Sequence, residues 1–178
     1  MASVSRLGKQ IEEVIATMDT MRAPFALIGG LALASHNVIR ATQDIDLLID
    51  ADIADLIDVE FVSLGYKCSH RSADAANYLR GDERVDFLFA SRPIARRLLA
   101  NAGEYTTSFG VLRVISTEGL IAFKLQGLVN DPRRTQDLED IRSLLRANRE
   151  TLDMQEVRVY FRLFDREPML DELLNAGE

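Results

Sequence analysis

The chain has 178 residues, 47% of them hydrophobic, and its 21 Lys and Arg against 28 Asp and Glu give a formal net charge of −7. That is the composition of one globular domain, or of one domain with a small appendage. It excludes broad binding of bare nucleic acid, which needs many cationic phosphate contacts, and no run reaches the roughly 20 apolar residues of a membrane span.

From the N-terminus, Leu7, Ile11, Val14, Ile15 and Met18 fall at helical spacing, predicting an amphipathic helix over 5–21 that ends before Pro24. Charges run through this segment and there is no apolar signal core, so a cytoplasmic protein is expected. "FALIGG" reads as a short buried strand stopped by Gly29 and Gly30, and "LALASHNVI" as a helix packed on it. "DIDLLID" is a second strand, followed by a helix from Asp52 to Leu64 that Gly65 terminates. "YKCSH" and "NYLRG" are weaker strand candidates around the polar turn "RSADAA", and "RVDFLF" is a clear short strand. Pro93 opens a helix to about Ala100, and "GVLRVIS" is another strand. Ser116 or Thr117 caps a helix from Glu118 to about Val129, and "NDPRR" breaks it. A helix over 136–147 and two short ones at 153–166 and 168–176 complete the chain.

Strands and helices thus mix up to residue 116, and the rest is helical. The predicted architecture is an α+β fold: a mixed β-sheet core flanked by helices over 1–116, with a C-terminal helical part over 117–178 packed on it.

The lone Cys68 excludes an intrachain disulfide, and with only His36 and His70 it argues against a zinc cage. A single thiol without an activating neighbourhood is expected to be a buried small hydrophobe. Arginines gather at 92, 96 and 97, at 133 and 134, and at 142, 146 and 149. Each group suits a solvated helix face and is also compatible with a local groove for RNA phosphates.

The chemistry concentrates in two acids. Asp44 and Asp46 stand at i and i+2 of a predicted strand and so project to one face. Side-by-side carboxylates repel unless a cation stands between them or one is protonated. A hard divalent ion such as Mg²⁺ (or Mn²⁺) is the natural partner, since it takes carboxylate oxygens and keeps positions open for phosphates. Asp86, in "ERVDFLF", is a third acid in a strand of the same character. Three converging acids suffice for two metal ions that activate an attacking oxygen and stabilise a leaving one. The structural alternative is that these acids cap strand ends or pair with Arg40 and Arg84. Gly29-Gly30 lies between a strand and a helix, where glycine lets the backbone approach a phosphate and the helix start supplies free N–H groups. It is neither a P-loop nor the dinucleotide fingerprint.

"LIGG", "DID" beginning 14 residues after Gly30, and a later single acid together resemble the nucleotidyltransferase superfamily, the polymerase-beta-like fold. More narrowly, "GGLALASHNVIRATQDIDLLI" with "LIAFKLQGLVNDPRRTQDLEDIRSLL" is similar to the AbiEii-type nucleotidyltransferases, which include toxins of toxin–antitoxin systems. Their Arg-x-Thr-x-Asp-x-Asp stretch is matched by Arg40, Thr42, Asp44 and Asp46, and their Lys helix and Asp-x-x-Asp helix by Lys124 and by Asp137 and Asp140. The likeness covers about residues 25–147. It departs from the superfamily at Gly30, where many members carry Ser, and at Gln136, where relatives often carry a basic residue.

The residues support the second half independently. Leu120, Lys124 and Leu128 lie at i, i+4 and i+8, setting the lysine in or beside an apolar stripe. An interior lysine needs an anion, which Asp137 or a triphosphate would supply; a lysine at the stripe edge would instead reach water.

The resemblance implies an ATP- or other NTP-dependent enzyme moving a nucleoside monophosphate to an acceptor hydroxyl. Asp44, Asp46 and Asp86 are then the metal ligands. Gly29, Gly30, Arg40, Thr42 and Lys124 bind the nucleotide, and Lys124 and Asp137 join the three acids in catalysis. Acceptor candidates are tRNA, a protein side chain or a small molecule such as an antibiotic. The toxin likeness favours a macromolecule and brings an antitoxin as candidate partner. A non-catalytic protein that binds a partner through its C-terminal helices is the competing reading.

Overall fold

A computed structural model describes residues 5–176; the first four and last two residues of the two expected parts lie outside the described residues. Seven strands form one mixed sheet: β1 (Phe25–Ile28), β2 (Ile45–Asp50), β3 (Lys67–Arg71), β4 (Ala75–Arg80), β5 (Glu83–Ala90), β6 (Gly103–Thr107) and β7 (Gly110–Val114). Their order across the sheet is β3-β4-β5-β2-β1-β7-β6. β1 and β2 are antiparallel, whereas β2–β5 and β1–β7 are parallel. Among the described residues eight α-helices surround the sheet: α1 (Arg6–Thr20), α2 (Gly29–Ser35), α3 (Ala54–Ser63), α4 (Pro93–Ala100), α5 (Thr117–Asn130), α6 (Thr135–Ala147), α7 (Met154–Leu163) and α8 (Glu167–Asn175). The expected α+β class is the one observed.

The central strands are apolar on both faces except where the acids interrupt them, as strands covered on both sides must be. Every residue of β1 is buried, as are Ile45, Leu47, Leu48 and Ile49 of β2. An aromatic group of Phe61, Tyr66, Tyr78 and Phe87 fills the space under α3. Arg80 ties the periphery together: it bonds Glu13 of α1, Glu83 and the Leu64 carbonyl, with its guanidinium 4.3 Å from the centre of the Tyr66 ring.

The C-terminal helices form part of the core. The Ser116 hydroxyl accepts from the Gly119 N–H at 3.1 Å and starts α5. Asp153 caps α7, whose Val157, Tyr160 and Phe161 are buried as the helix packs on α5. His36 bridges the two ends of the fold. One ring nitrogen is 2.7 Å from the Ile115 carbonyl oxygen and the other 2.9 Å from the Thr117 hydroxyl, while its own carbonyl accepts from Asn148 of the α6 C-cap.

Four expectations need correction. The helix over "LALASHNVI" stops at Ser35, because Asn37 takes a left-handed conformation (φ 62°) and the Val38 N–H returns to the Leu33 carbonyl; this is a helix-ending turn that asparagine tolerates. The expected helix from Asp52 opens with a 3-10 turn, Ala51–Ile53, and becomes α-helical at Ala54. β6 was not expected: "GEYTT" has no apolar alternation and is a strand through its pairing with β7. Cys68 is exposed, since β3 is an edge strand on which every residue is exposed.

Candidate active site

The acids meet through strand register. Asp46 is the Cα partner of Ile28 on one side and of Asp86 on the other. In parallel strands such partners project to the same face, so two residues 40 apart in sequence become neighbours. Asp44 stands just before β2, which begins at Ile45, and not within the strand as expected. It remains close enough to add to the negative field on Asp46.

Asp46 carries the strain of this arrangement. Burial first, then the charges of Asp86 and Asp44, push its carboxyl up to about 6, against smaller opposing effects of Lys124 and of the Gly30 N–H. Asp86 is already answered: Asn77 donates to one oxygen at 2.7 Å, and Arg84 Nε lies 2.9 Å from both. The structural alternative of an acid–arginine pair therefore holds for Asp86.

The Gly29-Gly30 turn closes against Asp46. Gly29 has φ +67°, and a Cβ there would overlap the Asp46 carboxylate. Both facts require glycine. A Cβ on Gly30 would come within 2.8 Å of the Arg40 and Thr42 side chains. A serine at position 30 would crowd Thr42 and Arg40.

Lys124, Asp137, Asp140 and Arg40 form one buried network. Lys124 Nζ is 3.2 Å from Asp137 Oδ1 and 2.6 Å from Asp140 Oδ2. Arg40 reaches the same Asp140 oxygen at 3.1 Å, Gln136 donates to its other oxygen at 3.0 Å, and Arg134 Nε lies 2.6 Å from Asp137 Oδ2. Lys124, Asp137 and Asp140 side chains are 7%, 8% and 3% exposed. Buried charges persist only when paired in this way. Asp140, which the expected site set omits, is the centre of the network. Its position three residues after Asp137 on a helix with an apolar face was the available signal.

A cleft of about 800 Å³ opens between the sheet and the helices α4, α5 and α7. Gly29, Asp46, Asp86, Lys124 and Asp137 line it, while Gly30, Arg40, Thr42 and Asp44 are not among its lining residues. Arg40 and Thr42 back the glycine turn from behind. The structure so brings five of the expected residues to one surface and sets four around it.

The donor set suits a hard divalent cation: carboxylate oxygens, mutually repelling, in a partly buried site. Asp46, pushed up to about 6 chiefly by burial and further by the charges of Asp86 and Asp44, is the observation that fits such an ion. Among the described residues no three ligand-type side chains already stand at metal-binding geometry, and Asp86 is held by Arg84 and Asn77. Ion binding at all three acids therefore requires Arg84 to yield.

Five of the clustered arginines have partners. Arg96 pairs with Asp50 and Asp52, Arg97 with the Tyr160 hydroxyl, Arg133 with Asp131, Arg134 with Asp137 and Arg142 with Glu139. Among the described residues no helix is long and apolar enough to cross a membrane.

No protein-family model matches the chain, and no curated protein matches it in sequence. Solved structures do. The solution structure of the antibiotic-resistance factor ANT(2'')-Ia aligns over 99% of this chain and 100% of its own, with 18% identity and a TM-score of 0.68. A crystal structure of ANT(2'')-Ia with adenylyl-2''-tobramycin aligns over 90% and 98%, with 18% identity and a TM-score of 0.69. The lincosamide antibiotic adenylyltransferase LnuA, bound to lincomycin, aligns over 79% and 96%, with 15% identity and a TM-score of 0.58. The chain has the fold of these nucleotidyltransferases.

Proposed function

We propose that the protein is a metal-dependent nucleotidyltransferase that moves a nucleoside monophosphate, with ATP as the leading donor, onto the hydroxyl of a small molecule. The observation that carries this reading is the facing pair Asp46 and Asp86, set against a glycine turn at the polar end of an 800 Å³ cleft. A cleft of that volume lies within the range for small-molecule sites.

Asp44, Asp46 and Asp86 would hold Mg²⁺ or Mn²⁺, which when bound supplies charge neutralisation on the triphosphate and a more acidic acceptor hydroxyl. The Gly29 turn, free of any side chain, receives the phosphates. Asp86, once released by Arg84, orients the acceptor hydroxyl and takes its proton. The acceptor oxygen forms a bond to the α-phosphorus. The bond from that phosphorus to the bridging oxygen breaks, and its electron pair leaves with pyrophosphate. Lys124 is the nearest cation from the helical side; Asp137 and Asp140 fix it in place and limit it to a field effect. Arg40 and Thr42 act on the nucleotide through the shape of the turn they support.

A small acceptor is favoured by the volume of the cleft and by the net charge of −7, which does not suit RNA phosphates. The antibiotic adenylyltransferases ANT(2'')-Ia and LnuA share the fold over nearly the full length of their own chains. A second reading, kinship with the AbiEii-type toxins and their antitoxins, draws on one observation: Arg40, Lys124, Asp137 and Asp140, the residues of that likeness, meet in one network.

The test is thermal shift with each of ATP, GTP, CTP and UTP, with and without Mg²⁺. Pyrophosphate release in the presence of small hydroxyl-bearing compounds, and label transfer to total RNA, follow. A Mg²⁺-dependent shift with at least one nucleotide is expected. Absence of any shift would leave the partner-binding protein as the better account. Label on RNA alone would move the acceptor to the toxin class.

A further inference from the structure

Beyond the acid pair the cleft changes character. Residues i and i+2 share a strand face, so Leu48 follows Asp46 and Leu88 follows Asp86 on the cleft side. The two leucines are themselves Cα partners at the cleft; Leu48 is fully buried beneath it, and Leu88 is the one that presents surface. At about 3.3 Å per residue the apolar floor begins about 7 Å from the carboxylates. Ile94 and Leu98 of α4, Phe123 of α5 and Phe164 after α7 line its apolar walls.

Sheet order decides which ligand lies on this floor. β2 stands between β1 and β5, so the Gly29 turn and Asp86 are on opposite flanks of Asp46. Phosphates on the turn occupy the β1 flank. The β5 flank, with Asp86 and then Leu88, is left to the attacking molecule. Its charged side chains other than Asp86 are Arg84, Arg92 and Asp74. Arg84 already sits on Asp86, so this flank offers a polyamine no surplus of acids.

We infer that the acceptor is a neutral or anionic small molecule with an apolar body beside its reactive hydroxyl, and not a polycation. The hydroxyl faces Asp86, and the body lies along Leu88 towards Phe123 and α4. This rests on the transferase reading of the site and specifies its second substrate.

The probe is 8-anilinonaphthalene-1-sulfonate, an apolar aromatic anion, titrated by fluorescence into the full chain. A Leu88-dependent component of binding is expected. Leu88→Asp weakens it at least tenfold, Leu88→Gln weakens it less with the melting profile retained, and Arg92→Ala weakens it several-fold. Saturating Mg²⁺–ATP leaves the probe bound, and so does tobramycin. The inference is overturned if neither Leu88 variant alters binding, if Mg²⁺–ATP displaces the probe competitively (the floor then holds the nucleobase), or if tobramycin displaces it. Failure of the transferase reading is seen separately, as the absence of any Mg²⁺–nucleotide thermal shift in the unaltered chain.

Discussion

Asp46→Asn tests the electrostatics of the site independently of catalysis. The Asp46 carboxyl is raised from 3.8 to about 6 in the fold. A folded-state value above the unfolded one means that the folded protein binds more protons between those two values. Stability from this group is thus fully present below about pH 4 and lost as pH rises through about 6. Two units at 1.36 kcal/mol each put the cost of the ionised form at about 3 kcal/mol. Asparagine keeps the shape, and its oxygen still accepts from the Gly30 N–H. In metal-free buffer with EDTA at pH 7.5 the variant should be more stable than the parent by about 1–3 kcal/mol. At about 2–4 °C per kcal/mol for a chain of this size, the melting temperature should rise by roughly 3–10 °C. The gain should shrink towards zero at pH 4.5. Adding 5 mM Mg²⁺ should raise the melting temperature of the parent and not that of the variant, which should also lose nucleotide turnover. A variant no more stable than the parent at pH 7.5, or a gain that does not depend on pH, would refute the argument that Asp46 is an uncompensated charge.

Arg84→Gln removes the group that holds Asp86 by both oxygens; Mn²⁺ binding without nucleotide, followed by electron paramagnetic resonance, should tighten about three- to tenfold, and unchanged affinity would mean that Arg84 does not compete with the ion. His36 is held below its usual 6.5, chiefly by burial. Its contribution to stability is therefore present above pH 6.5 and lost as pH falls through its lowered value. In urea titrations His36→Gln should be destabilised by about 2–3 kcal/mol at pH 7.5, with the difference from the parent narrowing at pH 5. Asp140→Asn leaves Lys124 and Arg40 short of a shared buried partner and should cost about 3–5 kcal/mol in urea unfolding; Lys124→Met in the same background should recover part of that loss. Gly29→Ala, with φ +67° and an Asp46 oxygen in the way, should weaken Mg²⁺–nucleotide binding at least tenfold by thermal-shift titration.

What was legible in the sequence follows from range. Asp46 is found near its glycine turn because both sit in the one stretch Phe25–Asp50, and short apolar runs around single acids locate β2 and β5. Their adjacency is a long-range fact. A chain with Asp86 on a distant strand would read the same, and only the register of β2 against β5 makes the pair. Arg84 is a candidate partner from the sequence, and i and i+2 on β5 bring it to the same face as Asp86. Asn77 could not be suspected, because it comes from β4. β6 and the exposure of Cys68 were hidden for a related reason: an edge strand takes its conformation from its neighbour and buries little, so its own sequence carries weak periodicity. The apolar floor was also present in the letters, as Leu88, but reads there as ordinary core.

The buried network gives the helical part a role in the chemistry of the sheet. Lys124 on α5 lowers the Asp46 carboxyl against the push of burial and of its acidic neighbours. Lys124 keeps its place because α6 supplies Asp137 and Asp140, and Asp140 in turn holds Arg40, whose side chain backs Gly30. A shift of α6 would thus reach Asp46 twice, through the field of Lys124 and through the seat of the glycine turn. Because both routes pass through Asp140, a substitution there should alter the pH dependence of Mg²⁺ binding as well as stability. A destabilised Asp140→Asn protein whose Mg²⁺ affinity follows the parent's pH profile would show that the network only holds the helices together.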